Sequence, residues 1–117
     1  MNDIAKETRK QKRLEVLGSN NPVCVICGEN DWRTLERHHI AGQAYGDELC
    51  NVCRNCHRKL SDDQKNHPKQ VCKTPTNFEA IGHLLLGLAD FLALLVSKLR
   101  ECGQLLIQAA QTMVRTA

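Results

Sequence analysis

The chain has 117 residues, room for one compact domain or one small domain plus an appended helix, and we expect the second. Sixteen Lys and Arg against thirteen Asp and Glu give a formal charge of +3, too mild by itself to establish a nucleic-acid partner. That excess lies wholly in residues 1–73, with thirteen basic and ten acidic side chains, whereas residues 74–117 carry three of each. Aromatic residues make up only 3% of the chain, and its front seventy residues are too poor in large apolar side chains to fold by burial alone. Seven cysteines are present, and MNDIAKETRKQKR lacks the apolar stretch of a secretion signal. We therefore expect a cytoplasmic chain with reduced thiols that serve as metal ligands.

Residues 3–17 have helix-forming composition, with Lys6, Arg9, Lys10, Lys12 and Arg13 crowded together, and GSNNP stops the run. A charge run of this kind reads first as a solvated helix or frayed arm, and second as a phosphate contact. Residues 1–21 are set apart as this basic arm.

From 22 to 68 the order is strand, strand, helix. RTLERHHI suits a strand, AGQAYGD a loop, ELCNV a second strand, and RNCHRKLSDDQKN a helix. Within it, Cys24-x2-Cys27 and Cys53-x2-Cys56 stand 25 residues apart, a spacing that brings four thiolates to one tetrahedral zinc. Cys50-x2-Cys53 also has ligand spacing, but Cys53 and Cys56 stand at the start of the helix, where backbone N–H groups favour thiolates. Cys72 and Cys102 read as buried or surface thiols.

Four cysteines satisfy the zinc and leave the histidines over. If the strand pair folds back on the helix, one of His38 and His39 meets His57 and the other faces outward. That suits a divalent metal, Mg2+ or another, between His38 and His57, with His39 as the base that takes a proton from water.

LERHHIAG followed by DELCNVCRNCHRKL resembles the HNH endonucleases, the ββα-metal nucleases whose zinc-bearing members carry two C-x2-C pairs. The likeness covers residues 22–66. It implies an α+β, treble-clef-like zinc domain that hydrolyses DNA phosphodiester bonds, with His39 the general base and His38 and His57 the catalytic metal ligands. Cys24, Cys27, Cys53 and Cys56 would be the structural zinc set. The motif's middle asparagine falls on Glu48, which is carried as a catalytic position although a carboxylate accepts but cannot donate; Asn51 lies three positions late, on the wrong strand face. Arg37, Arg54, Arg58 and Lys59 are phosphate contacts by charge and position. The alternative is a non-catalytic zinc module that binds nucleic acid or a protein partner.

Residues 69–76 read as a linker, and Thr76 to Glu79 form a T-x-x-E capping box that opens a helix over 77–117. Ile81, Leu85, Leu88, Leu92, Leu95, Leu99, Cys102, Leu106, Ala109 and Met113 recur with 4,3 spacing, a heptad seam. His83, Asp90, Ser97, Gln104 and Gln111 line a polar edge, and small residues from Gly82 to Ala110 flank the seam. Three fates fit such a helix: a homodimer or higher oligomer, which we expect; a membrane span, which Asp90 and a short apolar run oppose; or a fold back onto its own domain.

Overall fold

The computed structural model describes residues 3–71 and 73–116. The fold is α+β: a two-stranded antiparallel sheet, a short 3-10 turn and three α-helices, the last of them long.

Helix α1 (Asp3–Leu17) buries Leu14 and Leu17, three residues apart on one face. It ends at Gly18, whose φ of 71° lets its N–H reach the Leu14 carbonyl at 2.9 Å, a glycine C-terminal cap. The helix is docked, not frayed: the Arg13 guanidinium donates to the Leu35 carbonyl, and Arg37 and Asn51 both donate to the Leu17 carbonyl, at 3.3 and 3.0 Å. The segment is a helix whose face with Lys6, Arg9 and Lys12 is exposed, while Leu14 and Leu17 at its end are buried and Leu17 enters the core.

Residues 22–30 form a knuckle closed by Cys24 N–H to the Glu29 carbonyl and Gly28 N–H to the Cys24 carbonyl, and Val25 N–H ties it to the Asn51 carbonyl. Strand β1 (Leu35–His39) pairs with β2 (Leu49–Cys53) in the register Leu35 to Cys53 and His39 to Leu49. Helix α2 (Arg54–Gln64) follows at once, giving the expected ββα order. Its N-cap is Cys53, whose sulfur accepts from Cys56 N–H at 3.4 Å.

The core is small: Leu17, Ile26, Leu35, Val52 and Leu60, completed by the thiols of Cys24, Cys53 and Cys56. Five aliphatic side chains are few for a domain of this size, and three of their neighbours are metal-type ligands.

Helix α3 (Asn77–Thr116) runs 40 residues, about 60 Å at 1.5 Å per residue, and sets the 65 Å long dimension of the molecule. Thr76 Oγ1 accepts from Glu79 N–H at 3.2 Å, one half of the expected capping box; the Glu79 carboxylate does not complete the other half. The first half of α3 does fold back on the domain, and it does so with the edge that the sequence marks as polar. His83 and Gly87 are buried there, the Asp90 carboxylate takes His67 Nε2 at 2.6 Å, and the His83 ring stacks on Tyr45 at 3.7 Å. Gly87 permits this crossing, since a Cβ in its place would sit 1.7 Å from the Ile40 carbonyl oxygen. Phe91, Leu94 and Leu95 lean against the core, while the seam from Ile81 to Met113 faces largely outward.

Candidate metal centre and histidine groove

Two elements bring the four cysteines together. The knuckle presents Cys24 and Cys27, and the β2–α2 junction presents Cys53 and Cys56, with the Val25–Asn51 hydrogen bond holding knuckle to strand. All four sulfurs lie within 4.8 Å of one another, and Cys27 and Cys53 are 3.6 Å apart. A tetrahedron with zinc–sulfur bonds of 2.3 Å has edges of about 3.8 Å, so the spacing fits that ion. The set is the one the spacing predicts, and Cys50 is outside it. Cys50 pairs with His38 across the sheet and packs on the core, where burial pushes its thiol pKa up.

The electrostatics of the cluster also call for a cation. Burial opposes ionisation of Cys24, but N–H groups of Cys27, Cys53 and Ile26 outweigh it and bring the thiol down to about 7. Cys27 and Cys56 move the other way, raised first by burial and then by the sulfurs around them. Four thiolates at this spacing repel one another unless a divalent ion sits among them. Cys102, by contrast, is exposed on α3, and Cys72 lies outside the described residues.

Beside this cluster, sheet alternation sorts the histidines. Glu36 and His38 point to the α2 face of β1, and Leu35, Arg37 and His39 to the other. His38 is 3% exposed and meets His57 from α2 edge to face, with ring centroids 5.3 Å apart. Burial, with His57 and His39 nearby, lowers its pKa to about 4, so at neutral pH it offers a lone pair and no charge. His57 Nδ1 meets the Glu36 carboxylate at 3.1 Å. Among the described residues the four cysteines are the group whose donor atoms converge on one point; His38, His57 and Glu36 adjoin one another without forming a second such cluster. His39 stands at the strand end on the opposite face, and among the described residues its ring enters no hydrogen bond.

Other expected positions fall elsewhere. Glu48 is exposed, with its carboxylate folded over Gly46; what closes the 40–48 loop is Ile40 N–H to the Glu48 carbonyl, at 3.0 Å. Arg37 is half-buried, and one of its guanidinium nitrogens donates to the Leu17 carbonyl at the end of α1, at 3.3 Å. Arg54, Arg58 and Lys59 are exposed on α2, and the latter two line an open groove of about 570 Å3 with Asn55, Ser61, Asp62 and Lys65.

Three contributors escape a reading of the sequence. Glu36 on His57 is signalled by its position two residues before His38, hence on the same strand face. Gln64, seven residues after His57 on one helix face, sends its amide to the His39 carbonyl at 3.0 Å and the Ile40 carbonyl at 3.2 Å, and lies 3.5 Å from His38 Nε2. The His67–Asp90 pair joins segments 23 residues apart, and no local pattern announces it. No protein family, curated protein or solved structure matches this chain significantly.

Proposed function

We propose that the chain is a metal-dependent endonuclease of the HNH, ββα-metal kind that hydrolyses DNA phosphodiester bonds in the cytoplasm. The observation that carries this is the meeting of His38 from β1 with His57 from α2, beside a four-cysteine cluster and with Glu36 on the imidazole of His57.

In this reading zinc on Cys24, Cys27, Cys53 and Cys56 holds the β2–α2 junction, which in turn fixes His57. His38 and His57 would hold a second divalent ion, Mg2+ or another, which would supply stabilisation of the charge that develops on a phosphate. His38 serves by staying neutral. Glu36 orients the His57 ring and raises its basicity through Nδ1, as carboxylates do for ligating imidazoles. His39, at the strand end and on the face opposite His38, is the general base of this reading and would take the proton from water at the edge of the sheet. Arg54, Arg58 and Lys59 on the exposed face of α2 draw the phosphate backbone.

The test is nicking of supercoiled plasmid with Mg2+, Mn2+ or Ni2+, comparing the parent with His39→Ala and His57→Ala variants that keep their zinc. Nicking by the parent, lowered a hundredfold or more, on the order of a lost general base, in His39→Ala is expected.

A second reading, a zinc module that binds nucleic acid or a protein without cutting, draws on Glu48. At the motif's asparagine position its carboxylate turns over Gly46, and the nearby Asn51 amide is spent on Leu17. DNA binding that is equal in parent and His39→Ala, with intact plasmid in both, selects this reading.

A further inference from the structure

One line of α3, apart from Leu95, which is half-buried against the core, has no partner in the fold. Ile81, Leu85, Leu88, Leu92, Leu99 and Leu106 alternate steps of three and four or their sum, and they are 36–71% exposed. Helical geometry places this line roughly 150° around the axis from His83, Gly87 and Asp90, the edge that grips the domain. The domain therefore cannot cover it.

A membrane is one conceivable cover, because an 18-residue window of α3 reaches a mean hydropathy of 2.0, long and apolar enough to span one. The rest of the structure argues against that cover. Residues 83–95 are fastened to the domain by the Tyr45–His83 stack, the Gly87–Ile40 crossing and the His67–Asp90 pair, so hydrocarbon would have to admit a charged domain as well. Beyond residue 96, Lys98, Arg100, Glu101, Gln104, Gln108 and Gln111 interrupt any second candidate.

A 4,3 repeat is matched by another helix with the same repeat, and this one complements itself. Turned antiparallel about Ser97, Ala109 faces Leu85, Cys102 faces Leu92 and Leu88 faces Leu106, so thin layers receive a large side chain. In parallel register Ala109 would face Ala109 and Cys102 would face Cys102, leaving those layers underfilled. We propose that α3 is a homodimerisation element, with two copies paired antiparallel along the 81–113 seam and each domain carried on the outer side. The inference is independent of the nuclease reading, because it uses neither the histidines of the groove nor the zinc.

Sedimentation equilibrium of the full zinc-loaded chain at micromolar concentration should give twice the mass of one chain. Leu92→Asp, at an exposed position away from the domain, should weaken association about a hundredfold or more with zinc content unchanged. Orientation is read in a Cys72→Ser background under mild oxidation: Cys102 alone should not cross-link, and Leu92→Cys should give a dimer joined from 92 to 102. A parent of single-chain mass, a dimer that survives Leu92→Asp, a dimer linked through Cys102 alone, or flotation of the chain with phosphatidylcholine vesicles would each overturn the proposal.

Discussion

The zinc-type domain and the long helix keep their apolar side chains in opposite ways. Every buried hydrophobic among the described residues lies between Leu14 and Leu60, whereas α3 buries only His83 and Gly87 and exposes thirteen large hydrophobics from Phe78 to Val114. The domain turns Leu17, Ile26, Leu35, Val52 and Leu60 inward, leaves Val16, Val23, Val25 and Leu49 exposed, and has a core completed by thiols. The helix attaches through polar contacts, one glycine and the half-buried Phe91, Leu94 and Leu95, and leaves most of its apolar surface exposed. Burial pattern and hydrophobic pattern are thus separable: the most apolar segment of this chain is its least buried.

That contrast can be broken region by region. The largest effect is expected from metal removal or Cys56→Ser. Structural zinc contributes on the order of 10 kcal/mol to folding in small domains, so the domain should unfold while α3 keeps its helicity in far-ultraviolet circular dichroism. Loss of all helical signal together would show that the two regions are not separate. Leu35→Ala comes next, at a fully buried position, and should lower the unfolding free energy by about 2–5 kcal/mol in denaturant titration.

Gly87→Ala should cost about 1–3 kcal/mol or lift α3 from the domain, since the new methyl meets the Ile40 carbonyl; faster amide exchange in the 40–46 loop is the readout. Asp90→Asn keeps the shape but removes the charge from the His67 contact, for about 1–2 kcal/mol, with exchange again confined to this crossing. The smallest effect has the opposite sign. Nothing stands within 4 Å of a Cβ at Gly82, so Gly82→Ala should stabilise α3 by about 0.5–1 kcal/mol in thermal melts, a reversal of sign five residues from Gly87.

Local signals in the sequence were enough for much of the fold. The two C-x2-C pairs named the sulfur cluster, the strand and helix segments around His38 and His57 fell in their observed order, and the 4,3 repeat and Thr76 located α3. What was hidden is non-local. His83 and Asp90 read as a solvated edge because their partners, Tyr45 and His67, are distant in sequence and become neighbours only once the loop and the end of α2 meet. The bonds of Arg37 and Arg13 to the Leu17 and Leu35 carbonyls were hidden likewise, since a backbone acceptor leaves no mark in composition. Asn51 was placed correctly off the groove by alternation alone, while the helix carbonyl it serves was not foreseeable.

The Gln64 amide has two hydrogens and stands near three acceptors, the His39 and Ile40 carbonyls and His38 Nε2, the last being the most distant at 3.5 Å. Both hydrogens can stay on the carbonyls. The tether between α2 and the end of β1 therefore outlasts any change at the imidazole, and the frame around His38 does not depend on what that ring does.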